Sequence, residues 1–252
     1  MCRMLIALGD IDPNTLLDSM ILMAQDQTTH HELNQKKGLG SWKHSDGWGV
    51  AYLQKSSWRI VKSTKAIYDD RKINSLRNVT SSVILIHARG MDSGGVSLRN
   101  THPFHEGRFV FSHNGLISEK INYDRKYKPK GETDSERLFY NILTHLDTKN
   151  PAKSVRNTLL QFTKLTGTNI ILASPQQTIV AVRENNYPLY FTMHIGKSKD
   201  AIIISSEKIP AMKKMRWKPL SQGEVAVINN KERSVSIMKP QQLVPVETKI
   251  HA

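Results

Sequence analysis

The sequence predicts an α+β fold of antiparallel sheets with helices packed outside them, and three observations carry that expectation. Strand-like runs fall in two groups, the first from Arg3 to Phe111 and the second from Asn169 to Met238. Two helix patterns stand between the groups, an order that fits α+β layering. Short connections such as Pro175-Gln176-Gln177 and Asn229-Asn230-Lys231 join the later runs and read as hairpin turns.

Arg3 to Leu8 is a short apolar run that reads as a buried strand. Asp12-Pro13 then opens a helix, because Asp caps well and Pro suits the first turn. Leu16, Leu17, Met20, Ile21 and Ala24 give that helix an apolar face. Thr28 to Asp46 is polar and aperiodic, as expected of a loop or frayed helix. Trp48 to Leu53 and Trp58 to Ser63 predict a hairpin that turns at Gln54 to Ser57. A short helical segment near Asp69 to Leu76 leads to Ser82 to Ala88, a central strand by its Val83-Ile84-Leu85-Ile86 run. Phe109 to Phe111 is another strand.

Thr133 or Asp134 is expected to cap a helix carrying Leu138, Phe139, Ile142, Leu143 and Leu146. Pro151 opens the next helix, with Val155, Leu159, Phe162 and Leu165 on its face and Gly167 as its C-terminal cap. Strands follow at Asn169 to Ala173, Thr178 to Arg183, Leu189 to Met193, Ala201 to Ser205, Glu224 to Ile228 and Val235 to Met238. No repeat, linker or low-complexity segment divides the chain. Residues 2–240 are therefore expected to form one domain and residues 241–252 an irregular tail.

Composition narrows the function classes. With 252 residues, 38% of them hydrophobic, the chain can bury a sizeable core. Cys2 is its single cysteine, so an internal disulfide is impossible and a reduced, cytoplasmic setting is expected. Neither a metal nor a cofactor is expected, because cysteine ligands are missing and the histidines lack close metal-type spacing. Met4 to Leu8 is too short for a signal-peptide core, and no run approaches the roughly 18 apolar residues of a membrane span.

The bulk charge is unusual: 36 Lys and Arg against 22 Asp and Glu give +14. Such an excess can mark anionic partners. The densest run places Lys120, Arg125, Lys126, Lys128 and Lys130 around Tyr123 and Tyr127, a pattern able to follow single-stranded nucleic acid. A solvated loop is the expected reading here and at Lys208 to Lys218, and nucleic acid is not the expected partner.

The chemistry centres on Met1-Cys2-Arg3. Removing one methionine would leave a thiol and a free α-amine on Cys2, a nucleophile with its own base. Arg89 follows the Val83 run, where a guanidinium offers a planar fork to a carboxylate or forms a structural salt bridge. In Ser112-His113-Asn114-Gly115, expected at a strand end, Asn supplies an amide donor and Gly lets the backbone approach a ligand. Two converging donors make an oxyanion hole, and Asn-Gly equally makes a tight turn. Asp134 either caps its helix or stands opposite Arg89 as the partner of an α-ammonium group. His102, in Asn100-Thr101-His102-Pro103-Phe104, reads as a pocket donor or as a loop histidine.

Six motifs occur together in order: Cys2 behind the initiator Met, His44-Ser45-Asp46-Gly47-Trp48-Gly49, His87-Ala88-Arg89, Thr101-His102-Pro103-Phe104, His113-Asn114-Gly115 and Thr133-Asp134-Ser135-Glu136. The sequence resembles the class II glutamine amidotransferases, whose N-terminal-nucleophile glutaminase domain shows this order, and in particular small stand-alone members. Ser205-Ser206-Glu207 and Pro219 to Glu224 are similar to the closing strands of that family.

The resemblance implies a four-layer αββα sandwich with Cys2 as nucleophile. It also implies Arg89 for the glutamine α-carboxylate, Asp134 for its α-amine, Asn114 with the Gly115 N–H as oxyanion hole, and His102 in the pocket. Gly90 departs from several members, which carry a bulky residue there. The implied activity is hydrolysis of the glutamine γ-amide to glutamate and ammonia through a Cys2 thioester. Three readings follow: a glutaminase feeding a separate ammonia-accepting synthase, a stand-alone hydrolase of another γ-glutamyl amide, or a non-enzymatic basic nucleic-acid-binding protein on a retained fold.

Overall fold

A computed structural model of the chain describes residues 1–33, 41–183 and 186–240. Part of the expected 28–46 loop and the whole expected tail lie outside these residues. In chain order the elements are β1 (Cys2–Gly9), α1 (Pro13–Ala24), β2 (Trp48–Gln54), β3 (Ser57–Ser63), β4 (Val83–Arg89), β5 (Phe104–Glu106), β6 (Phe109–Ile117), α2 (Asp134–His145) and α3 (Pro151–Leu160). They continue as β7 (Leu165–Ala173), β8 (Gln177–Arg183), α4 (Pro188–Phe191), β9 (His194–Lys197), β10 (Ala201–Ser205), β11 (Arg216–Pro219), β12 (Val225–Asn229) and β13 (Ser234–Met238). Short 3-10 turns cover Ile67–Asp69, Arg71–Leu76 and Leu98–Asn100.

Two antiparallel sheets form, with strand orders β11-β9-β10-β1-β4-β2-β3 and β13-β12-β8-β7-β6-β5. The alternation along β1 shows why they stack. Met4, Ile6 and Leu8 point into a core shared with Val110, Ile171 and Val180 of the second sheet. Leu5 and Ala7, one residue out of phase, meet Leu16, Leu17 and Met20 of α1. On the far side of the second sheet, Phe111, Ile170 and Leu172 pack under Leu138, Phe139 and Ile142 of α2 and Leu159 of α3. The result is the expected α+β sandwich in four layers, αββα. Each fully buried Leu, Ile or Phe in these cores contributes roughly 1.5–3 kcal/mol. A strand covered on both faces needs apolar residues at successive positions, which explains the unbroken Met4 to Leu8 run.

Several elements differ from expectation. α3 ends at Leu160, and Gly167 lies inside β7 rather than capping a helix. After Gln161 the chain drops Phe162 into the core, and Leu165 pairs with Ile117 of β6. Leu189 to Met193 is no strand: Pro188 starts a helical turn that buries Tyr190 and Phe191. β6 continues past Asn114-Gly115 to Ile117 with an irregularity after Gly115, which excludes a tight turn there. Part of the Lys208 to Lys218 segment forms edge strand β11, paired with β9. Thr133 caps α2, so Asp134 is free of that role. The Lys120 to Lys130 run is a loop, but Tyr127 stacks on Tyr140 of α2 and Tyr123 packs beside it, so neither ring is a free stacking platform.

The topology places the site. β1 is central in its sheet, and its register on β4 sets Cys2 opposite Arg89. β6 crosses the neighbouring sheet and brings Asn114 under Cys2. α2 begins at Asp134, whose carboxylate accepts the N–H of Ile117 at 2.9 Å and ties the helix to the end of β6.

Candidate active site

Cys2 is buried at the start of β1, and its main-chain N–H donates to Oδ1 of Asn114 at 2.7 Å. Nδ2 of Asn114 is buried with no hydrogen-bond partner, leaving one donor unspent on the amide that holds the Cys2 nitrogen. Its cost of about 1–3 kcal/mol calls for a reason. The Cys2 Sγ lies 3.7 Å from the Gly90 carbonyl oxygen. Burial pushes the thiol up, and the nearby α-ammonium group and Arg89 oppose that shift.

Gly115 has φ +154, and a Cβ there would lie 1.8 Å from the Gly167 carbonyl oxygen. Only glycine fits where β6 approaches β7 this closely.

The expected clamp residues converge, with their groups already engaged. The Arg89 guanidinium donates to the carbonyl oxygens of Ser93 at 2.8 Å and of Gly94 and Gly95 at 3.2 Å. Ser93 Oγ in turn donates to Asp134 Oδ1 at 2.7 Å. Ser93 thus presents an oxygen acceptor to the arginine and a donor to the aspartate. The α-carboxylate and α-ammonium of an amino acid would make the same demands.

Met1 covers the same place. Its α-ammonium donates to the Gly90 carbonyl oxygen at 2.5 Å and ion-pairs with Asp92. Gly90 is needed for this approach, because a Cβ there would lie 2.3 Å from the Met1 carbonyl oxygen. Cys2, Arg89, His102, His113, Gly115 and Asp134 line one cavity with Met1, Asp92 and Ser93, and about 20 Å³ of it is open. That is room for about one water.

His102 stands in this cavity wall, and neither ring nitrogen has a hydrogen-bond partner among the described residues. Its ring lies 4.1 Å from that of His87. His113 Nδ1 pairs with Ser135 Oγ at 2.9 Å. Burial holds all three histidines neutral: His87 is pushed down to about 3, His113 to about 4 and His102 well below the ordinary range. Among the described residues, no group of His, Cys, Asp and Glu is arranged to hold a metal ion, and no helix is long and apolar enough to cross a membrane.

Behind Cys2 stands a buried network centred on Tyr190, the member that sequence reasoning missed. Tyr190 Oη donates to the Cys2 carbonyl oxygen at 3.1 Å and meets His44 Nε2 at 2.8 Å. With His44 neutral, Nε2–H is the donor of that second bond. Arg3 lies over the Tyr190 ring, donates to the Tyr190 carbonyl oxygen at 2.9 Å and pairs with Glu207 at 2.8 Å. His44 and Glu207 stand in motifs visible in the sequence, His44-Ser45-Asp46-Gly47-Trp48-Gly49 and Ser205-Ser206-Glu207. Tyr190 stands in none.

The Cys2 thiol and the Arg89–Ser93–Asp134 chain thus share one cavity of an αββα sandwich, with Asn114 bonded to the Cys2 nitrogen behind it. The model of the family "Glutamine amidotransferases class-II" matches residues 19–173, and the chain belongs to that family. The "Putative glutamine amidotransferase YafJ" of Escherichia coli (strain K12) is 31% identical over 123 residues, 46% of this chain and 48% of the relative. The amidophosphoribosyltransferase of Methanocaldococcus jannaschii is 26% identical over 210 residues, 77% of this chain and 43% of the relative. The chain thus spans less than half the length of these curated relatives.

Two solved structures share the fold. A glutamine aminotransferase class-II domain protein from Silicibacter pomeroyi has a TM-score of 0.64 at 16% identity, covering 95% of this chain and 99% of that one. The glutamine phosphoribosylpyrophosphate amidotransferase from B. subtilis has a TM-score of 0.63 at 15% identity, covering 94% and 49%.

Proposed function

We propose that residues 2–240 form a glutaminase that, after loss of Met1, hydrolyses the γ-amide of glutamine to glutamate and ammonia. The reading is carried by the Cys2 N–H on Asn114 Oδ1, with Nδ2 of the same amide left unpaired. Family membership supports it. Cys2 lies outside the matched stretch, so its role rests on this geometry.

Once Met1 is gone, the nitrogen on Asn114 Oδ1 is an α-amine of ordinary pKa about 7.7–8.0, partly unprotonated near neutrality. It takes the thiol proton as Sγ attacks the amide carbon. Asn114 Nδ2–H and the Gly115 N–H stabilise the oxyanion, and the C–N bond breaks as the amine returns its proton to the departing ammonia. Water then attacks the thioester, releasing glutamate and restoring the thiol. Arg89 holds the α-carboxylate and Asp134 the α-ammonium in place of Ser93, while His102 borders the pocket as a neutral group. The chemistry requires a reduced thiol, consistent with a cytoplasmic setting.

A second reading is favoured by Gly90. With Met1 removed, the space its main chain fills above Gly90 opens, giving room for a larger γ-glutamyl amide. A panel of γ-glutamyl amides assayed with the wild type and with Cys2→Ala tests both readings. Glutamine turned over fastest, with no turnover by the variant, is the expected result. Preference for another amide selects the second reading, and full activity of Cys2→Ala overturns both.

A further inference from the structure

A second cavity, of about 270 Å³, opens where the edge strands of the two sheets meet. Lys62 of β3 forms one wall, Phe104 and His105 of β5 another, and Lys130, Glu136 and Tyr140 close it from the α2 side. Arg99 lies at its rim. Its size approaches the lower end of small-molecule pockets.

The charges here are poorly balanced. Lys62 is half-buried and donates to the Thr101 carbonyl oxygen at 2.6 Å, yet among the described residues neither it nor Arg99 nor Lys130 forms a salt bridge. Burial pushes Lys62 down to about 8, so it remains mostly charged at neutral pH. Glu136 is the one carboxylate in the lining, and its field favours the charged form of Lys62. Its two oxygens already accept the main-chain N–H groups of Lys130 at 3.0 Å and Gly131 at 2.7 Å. Three cations against one carboxylate whose oxygens are already engaged leave an excess of positive charge that suits a dianion.

We propose that this cavity is a binding site for a small phosphate monoester, with Lys62, Arg99 and Lys130 taking the phosphate and Leu98, Phe104 and Tyr140 lining the space for its organic part. The three cations line one cavity of about 270 Å³, which fits a terminal phosphate better than an extended nucleic-acid backbone. The site adjoins the candidate active site: Thr101 holds Lys62, the next residue His102 lines the Cys2 cavity, and the Phe104 ring packs on that of His102 at 4.5 Å.

Calorimetric titration of the full chain with glycerol 3-phosphate, and with glycerol as the uncharged control, tests the proposal independently of any turnover. Saturable binding of the phosphate at one site per chain, with none of glycerol, is expected. Lys62→Met and the double variant Arg99→Gln/Lys130→Gln are each expected to weaken it about tenfold. The double variant changes only exposed side chains and carries the test should Lys62→Met fail to fold. Lys213→Gln/Lys214→Gln, beside the opposite edge of the first sheet, is expected to bind like wild type. Absence of saturable binding, an equal loss in the Lys213/Lys214 variant, or binding of a single-stranded oligonucleotide in place of glycerol 3-phosphate would each overturn the assignment.

Discussion

The main-chain nitrogen of Cys2 and Oδ1 of Asn114 lie 2.7 Å apart, joining the first strand of one sheet to the sixth strand of the chain in the other. One amide side chain therefore faces both halves of the proposed nucleophile. Its oxygen accepts from the nitrogen proposed as the base, and its unpaired Nδ2 is the donor proposed for the substrate oxygen.

Asn114→Ala is expected to lower kcat for glutamine by roughly 10²–10³-fold, the usual cost of one oxyanion donor, with a much smaller change in KM. Asn114→Asp keeps an acceptor for the Cys2 nitrogen and removes the Nδ2 donor, so it is expected to fall about as far. Steady-state glutamate release separates the two roles: an active Asp variant would show that the donor is dispensable.

Met1 plugs the cavity through Gly90 and Asp92, so a chain that retains it is expected to be silent. A cleavable N-terminal extension ending immediately before Cys2 makes the comparison within one preparation. Ammonia release should appear only after cleavage, with intact mass showing Cys2 as the first residue. Activity in the uncleaved protein would remove the α-amine from the mechanism.

Ser93 occupies Arg89 and Asp134 in the form seen here and must leave before an amino acid binds. Ser93→Ala removes the hydroxyl's bond to Asp134, so the substrate displaces less. The expected result is a KM for glutamine lower by about 2–10-fold, the worth of one net hydrogen bond, at unchanged kcat. A raised KM would mean that Ser93 helps to hold the substrate.

Much of this site was legible because its residues interrupt apolar runs. Arg89 ends β4, Asn114-Gly115 interrupts the apolar run of β6 and Asp134 starts α2, and a polar residue that interrupts or ends an apolar run is visible in one dimension. Tyr190 was not, since its contact with Cys2 spans 188 positions and its own segment is a short apolar run. Such runs have no period, so Leu189 to Met193 read as a strand although Pro188 and the burial of Tyr190 and Phe191 make it a helical turn. Gly167 misled for a related reason. A glycine after a helical pattern suggests a cap, but its positive φ of 62° serves the close packing of Phe191 against β7.

The buried histidines give the fold an acid limit. In the unfolded chain they titrate near 6.5, whereas in the fold His87 is pushed down to about 3 and His113 to about 4, burial leading in both and Asp134 opposing it at His113. The unfolded state therefore binds protons that the native state refuses. Their contribution is fully present above pH ~6.5 and is lost as pH falls toward the native values. Each histidine adds a slope of about 1.4 kcal/mol per pH unit in that window. Urea midpoints at pH 7.5 and pH 5 should differ clearly, and equal midpoints would contradict neutral burial.

Arg3 and Glu207 form a fully buried pair directly behind the nucleophile, at 0% and 2% exposure. Removing one partner leaves the other charged and unpaired, at a typical cost of 3–5 kcal/mol. Glu207→Gln is therefore expected to destabilise the protein by that order, and Arg3→Met to do the same. The double variant Arg3→Met/Glu207→Gln removes both charges of the pair and is expected to recover part of the loss. Arg3 also braces Tyr190, whose hydroxyl holds the Cys2 carbonyl. The double variant should accordingly regain stability without regaining kcat, which urea denaturation and glutamine turnover measured on the same samples would show. Full recovery of both would reduce the pair to a packing element with no hold on Cys2.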